Sequence, residues 1–200
     1  PAVIVRTGFA LALLGMLLVI PVVPRGEASQ GAWVLLVPLL IAGAGLGLLV
    51  SQLNNYTLSP ISEERVSEAS GVNSASGSFG LSFGLAFAGA IMLATLSITF
   101  TDMAESSAVL SPAEQEQVAT GLEDDAELMS NTALEELLVG QPQDVQDEII
   151  RINTEARPFA LQVALLVPLL AGLLGLVTGL RMTHAPDPKA SGAAEGTVVG

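Results

Sequence analysis

Four apolar stretches set the pattern of this chain, at residues 3–23, 33–53, 72–98 and 158–180, with polar residues gathered between them and at the C-terminal end. Each exceeds the roughly 20 residues that a helix rising about 1.5 Å per residue needs to cross the hydrocarbon core of a bilayer. No acid interrupts any of them, and Arg6 is their single charged residue. In hydrocarbon every backbone polar group needs an internal partner, which an isolated apolar stretch achieves only as a helix. The expected fold class is all-α: a polytopic membrane helical bundle of four transmembrane helices.

The four stretches are not alike. The second carries Gly43, Gly45 and Gly47, and the third carries Gly77, Gly80, Gly84 and Gly89 with Ser74, Ser76, Ser78 and Ser82. Packed interfaces in membranes depend on small residues that let backbones approach. The second and third spans are therefore expected inside, against each other or against helices beyond this chain. The first and fourth, read as mainly Leu, Val and Ala, are expected toward lipid. Pro38 and Pro168 fall inside spans and should kink them.

Charge changes the picture of the remainder. Residues 101–155 hold fourteen acids and one base, Arg151, which accounts for the whole net charge of −13. This segment also has helix punctuation. Ser111-Pro112-Ala113-Glu114 and Thr132-Ala133-Leu134-Glu135 read as capping boxes, and the helix opened by the second should end at Gly140. A further helix from Pro142 would place Val145, Ile149 and Ile152 on one face, with Pro158 bending or breaking it near Arg157. The domains expected are residues 1–100 with three spans and a loop at 54–71, an acidic helical insert at 101–157, the fourth span at 158–183 and a disordered tail at 184–200.

Arg6, Arg65, Arg181 and Lys189 lie on one side of the expected bundle, and Arg25 and Arg157 on the other. That bias places the 54–71 loop and the C-terminal tail in the cytoplasm and the acidic insert outside, with Trp33 and Tyr56 about 34 Å apart at the two interfaces. The lipid bilayer is the first partner implied, and a bacterial cytoplasmic membrane the expected location. Nucleic acid is not an expected partner, because no basic stripe exists. The chain has no cysteine and one histidine, His184. No metal site, cofactor or enzymatic nucleophile–base pair is expected. The first span begins without a Met or a basic leader, so the chain is read as the C-terminal piece of a larger protein, a secretory signal being the competing reading.

Candidate functional residues cluster at the ends of the middle spans. Gln52, Asn54, Asn55, Asn73 and Ser76 are candidates for lining a transport path. Headgroup hydration of Gln52, Asn54 and Asn55, and helix packing or back-bonding by Asn73 and the serines, are the alternatives. Glu63, Glu64, Arg65 and Glu68 form either a charge cluster that holds a gate or a solvated loop that caps a helix, with Ser62 at the cap. Asp102 is a candidate proton site, with simple interfacial hydration as its alternative.

The run Gly43-Ala44-Gly45-Leu46-Gly47, then Leu58-Ser59-Pro60-Ile61-Ser62-Glu63-Glu64-Arg65-Val66-Ser67-Glu68-Ala69-Ser70-Gly71, then the Gly80-xxx-Gly84 stripe, resembles the late helices of major facilitator superfamily transporters, above all the fourteen-span drug:proton antiporters. The chain departs from that pattern at Ser67, where glycine is common, and at Ser76-Gly77, where an Arg or Gln is frequent. The resemblance implies the last four helices of a C-terminal half-bundle, with the second span lining a central cavity and the third at the interface between halves. It implies proton-coupled efflux of drug-like or other small molecules by alternating access. The partners would be the missing N-terminal helices, the small-molecule substrate and protons. Uptake of a metabolite by the same fold, and a non-transporting four-span adaptor with an acidic outer interaction segment, are the other functions considered.

Overall fold

The computed structural model describes residues 2–23, 28–116, 118 and 131–181. All regular structure among them is helical: α1 (Ala2–Val22), α2 (Ala28–Leu58), a short 3-10 helix (Glu63–Arg65), α3 (Val66–Glu105), α4 (Asn131–Leu137), α5 (Gln143–Ala164) and α6 (Leu166–Arg181). Four helical stretches are long and apolar enough to cross a membrane: Val3–Val22, Trp33–Leu58, Glu63–Glu105 and Gln143–Arg181. The expected disorder of the tail with His184, and the acids at Glu123, Asp124, Asp125 and Glu127, lie outside the described residues.

The loop expected at 54–71 is much shorter than predicted. Helix α2 runs on through Asn54 and Asn55 to Leu58, and α3 starts at Val66. Neither Gly nor Pro interrupts residues 48–58, so nothing stops the helix until Pro60, which disfavours helical geometry at Ser59. The chain then turns with Ser59 N donating to Asn55 O at 3.0 Å and Ile61 N to Leu58 O at 3.0 Å.

The proline expectation also needs correcting. Pro158 lies within α5 and does not end it. The helix is interrupted instead at Leu165, whose N–H donates to Leu161 O at 3.0 Å. Pro168 supplies no amide to Ala164 O and its ring crowds that carbonyl, so this proline makes the break. Around Pro158 the helix is held by tertiary contact, since Ala156 and Ala160 are almost fully buried.

The described residues form two compact units. In the first, drawn from Pro1–Leu18, Val37–Phe83 and Leu169–Gly200, α1 packs on both α2 and α6. A side chain at Gly8 would meet Leu49 Cγ at 2.9 Å and Gly45 O at 3.0 Å. Additions at Gly15 and Gly45 would run into the backbones of Ala42 and Ala12. On α6, Gly172 faces Leu13 and Gly175 receives the ring of Phe9. Arg6 Nε donates to Gly179 O at 3.3 Å, a cation at the negative end of α6. The first and fourth spans are thus joined by close packing rather than turned wholly to lipid. Of the two alternatives for the glycine faces of the second and third spans, packing against each other is not seen at most of these glycines, and packing against helices beyond this chain stays open. Gly43, Gly47, Gly77, Gly80, Gly84 and Gly89 have nothing within 4 Å of where a side chain would begin.

The second unit, Val19–Leu36 with Gly84–Pro168, has its core between α3 and α5. The 40 residues of α3 run about 60 Å, roughly twice the hydrocarbon thickness, so its C-terminal end needs partners other than lipid. It finds them through Leu96, Phe100 and Ala104, four residues apart on one face, against Val145, Ile149, Ile152, Ala156 and Ala160. Leu110 and Leu134 close the cluster. The first capping box operates, whereas the second does not open its helix as expected, since α4 begins at Asn131 and takes Thr132 inside it. Ser111 N donates to Glu114 Oε2 at 2.7 Å, and α4 ends in a turn at Gly140, whose φ of 100° is costly for any other residue type.

A polar contact joins the C-terminal end of α1 to α5. Gln162 Nε2 donates to Ile20 O at 2.7 Å. Residue 24 is proline and has no N–H, so the ordinary helical partner of this carbonyl does not exist, and in hydrocarbon the orphan acceptor would be costly. Replacement Gln162→Leu should lower stability by about 1–3 kcal/mol, whereas Gln162→Glu should restore little, since a carboxylate cannot donate. Thermal unfolding in detergent micelles checks this, and no loss with leucine would remove the bond from the account.

Candidate functional site

The end of the α2–α3 hairpin brings together polar side chains of both middle helices. Its geometry follows from the early start of α3. With only a short turn between them, the last turn of α2 and the first turns of α3 stand side by side, and Asn73 Nδ2 donates to Asn54 Oδ1 at 2.7 Å. A pocket of about 650 Å³ opens there, walled by Thr57, Pro60, Ser62, Arg65, Glu68, Asn73 and Ser76 among others. Asn73 and Ser76 therefore share one wall, and Asn54 holds the first of them. Gln52 and Asn55 do not line it. Asn55 is exposed, and Gln52 is half-buried.

The charged residues of the turn are solvent-facing. Arg65 Nε lies 3.7 Å from Glu68 Oε2 with both side chains 74% exposed, so this pair stabilises the turn by well under 1 kcal/mol. Glu63 and Glu64 stand in the 3-10 turn leading into α3, where acids suit the positive helix end. Ser62 makes no side-chain cap bond, contrary to expectation. Its carbonyl receives Arg65 N instead, at 2.9 Å. The Tyr56 hydroxyl is buried and without a hydrogen-bond partner among the described residues. The pocket thus offers neutral amides, hydroxyls and one loose ion pair, a surface able to hydrogen-bond a passing solute.

No family model, curated protein or solved structure matches this chain.

Outside the pocket, a polar clasp links the end of α3 to α5. Ser107 Oγ donates to Glu148 Oε1 at 2.7 Å, and the same carboxylate accepts from Arg151 Nε at 2.8 Å and Nη2 at 2.9 Å. Arg151 also reaches Glu155 at 3.0 Å. The Arg151 and Ser107 hydrogen bonds hold the Glu148 carboxyl at about 2, against an ordinary value near 4.5. Arg151 is in turn more firmly protonated than a free arginine. Because the folded carboxyl titrates below its unfolded value, its stabilisation is present above about pH 4.5 and is lost as pH falls through about 2. Glu148→Gln should accordingly destabilise the outer segment at pH 7, with the difference from the unaltered protein shrinking toward pH 2. Paired unfolding curves across that range test it, and a pH-independent difference would contradict the charge-based account. A second clasp runs from Arg157 Nε to Asn153 Oδ1 at 2.8 Å and from Asn153 Nδ2 to Asn131 Oδ1 at 2.6 Å.

Sequence reasoning did not single out Ser107, Asn153 or Gln162. Ser107 has no local signal, because its partner is 41 residues away. For Gln162 a signal existed: an amide inside an apolar span, in a protein with a proline-terminated helix. The spacing of Ala156, Ala160 and Ala164 was the readable sign of the small-residue interface on α5. Asp102 is exposed at the outer part of α3.

Proposed function

We propose that these helices are the last four of the C-terminal half of a major facilitator type transporter, which expels drug-like or other small molecules from a bacterial cell in exchange for protons by alternating access. The observation that carries this reading is the open face of α3. Gly77, Gly80 and Gly84 have no neighbour within 4 Å, although glycines are costly in helices and are used in membranes where another backbone comes close. In this reading the remaining helices of the transporter cover that face. The neutral pocket at the hairpin end, with Asn54, Asn73 and Ser76, shapes the cytoplasmic end of the path. The apolar stretches 3–23, 33–53, 72–98 and 158–180 hold no Asp, Glu, Lys or His, so in this reading the proton-carrying carboxylates belong to the N-terminal portion.

The orientation proposed, with the 59–62 turn cytoplasmic, follows the charge bias of the short loops. In everted vesicles the full-length protein should couple ethidium movement to an imposed pH gradient. Gly80→Leu and Gly84→Leu should each lower that rate about tenfold or more, as expected for 1–3 kcal/mol of overpacking, while Leu85→Ala should change it less than twofold. Equal tolerance of all three would remove the helix-covering role of this face. A second reading, a four-span adaptor that presents its outer segment to a partner, is favoured by the hydrophobic core that α3 and α5 build with Leu110 and Leu134 of that segment. Absence of any substrate-dependent proton movement by the full-length protein would select it.

A further inference from the structure

We propose that the outer segment is a brace that makes the outer halves of α3 and α5 one mechanical body. Two independent features fasten the two helices, and a third ties α4, which shares their core through Leu134, to α5. The first is the continuous apolar seam from Leu96 to Ala104 on α3 and from Val145 to Ala160 on α5, in which Phe100, Ala104, Ile152 and Ala156 are 1% exposed or less. The second is the bond from Ser107 to Glu148. Ser107 is itself fixed, because its hydroxyl accepts from the N–H of Val109 and Leu110 and its carbonyl accepts from Gln115 Nε2 at 3.1 Å. The third is Asn131, which reaches both Asn153 and Thr154 and so pins the start of α4 to the flank of α5.

The polar bonds set register as well as contact. A slide of α3 along α5 by one helical turn, about 5.4 Å, would bring the four-residue repeats of the seam nearly back into step but would take Ser107 out of reach of Glu148. A linker between two spans needs none of this. In a soluble loop of this acidity the entropy of ordering would go uncompensated, and the buried seam with its register-setting polar bonds supplies the compensation. The functional consequence rests on the transporter reading: in a rocking cycle the outer ends of α3 and α5 travel together, and the relative movement happens elsewhere.

Hydrogen exchange on the full chain in lipid nanodiscs tests the brace without reference to transport. Ser107→Ala, on the α3 side, should raise exchange about tenfold at amides of residues 100–105 and by the same factor at residues 145–152. Asn153→Leu, on the α5 side, should do the same to both stretches. Loosening confined to the helix or turn that carries the substitution would overturn the proposal. If Ser107→Ala leaves both stretches unchanged while Asn153→Leu loosens only α5, it is equally overturned. A second arm measures ethidium efflux by the full-length protein, where both substitutions should lower the rate several-fold at unchanged membrane abundance. If coupled exchange is seen but the unaltered protein moves no substrate, the transporter reading fails and the brace stands. Full efflux by both loosened variants would show that the helices need not move as one.

Discussion

Gly45→Leu is expected to separate α1 from α2, and Gly47→Leu, two residues on, to be tolerated. The two positions share a helix and a residue type and differ in what stands opposite. At Gly45 a first side-chain carbon would collide with the backbone of Ala12 and the carbonyl of Gly8, neither of which can swing away as a side-chain end could. The helices must move apart, and contacts at Leu49 and at Gly15 with Ala42 go with them. The cost should reach or exceed the ~3 kcal/mol upper end of ordinary overpacking, because backbone rather than side chain must yield. At Gly47 the space is open, and leucine gains up to about 1 kcal/mol of helix propensity over glycine. Melting temperatures of the two variants in the same detergent decide the matter. Similar shifts for both would mean that α1 and α2 do not pack as described.

Phe100→Ala should remove about 3–5 kcal/mol from the outer core. Its ring is 1% exposed, between Leu96 and Ala104 on α3 and among the aliphatic residues of α5, so its loss leaves a cavity that two clasped helices cannot close. Phe83→Ala on the same helix is the control. That ring is 59% exposed and stacks on Phe79, with centroids 5.8 Å apart, so about 1 kcal/mol or less is at stake. Amide exchange in residues 96–104 should rise steeply for the first variant and barely for the second. Equal effects would show that the seam is not a core.

Much of the helical content was legible because its causes are local. The apolar lengths forced helices, Ser111 with Glu114 announced a cap, Gly140 announced an end, and the three- and four-residue spacing of Val145, Ile149 and Ile152 announced the buried face of α5. Among the candidate site residues, sequence located Asn54, Asn73 and Ser76 near one span end. Their pairing waited on the length of α2, which local signals before Pro60 did not bound.

What the sequence by itself determined is the set of helices able to cross a membrane, the origin of the net negative charge in residues 101–155, and the helix ends marked by Ser111 with Glu114 and by Gly140, since each depends on residues close by in the chain. What only the tertiary structure decided is which small residues pack. Gly8, Gly15, Gly45 and Gly175 meet neighbours while Gly43, Gly47, Gly80 and Gly84 do not. A glycine permits close approach without causing it. Whether a backbone arrives opposite depends on the rotation and register of a second helix, and those are fixed by distant partners such as Gln162 with Ile20 and Ser107 with Glu148, which no local pattern encodes. The same reason explains why Pro158 stayed within a helix and Pro168 broke one. Both remove an amide, but around Pro158 the packing of Ala156 and Ala160 holds the helix together.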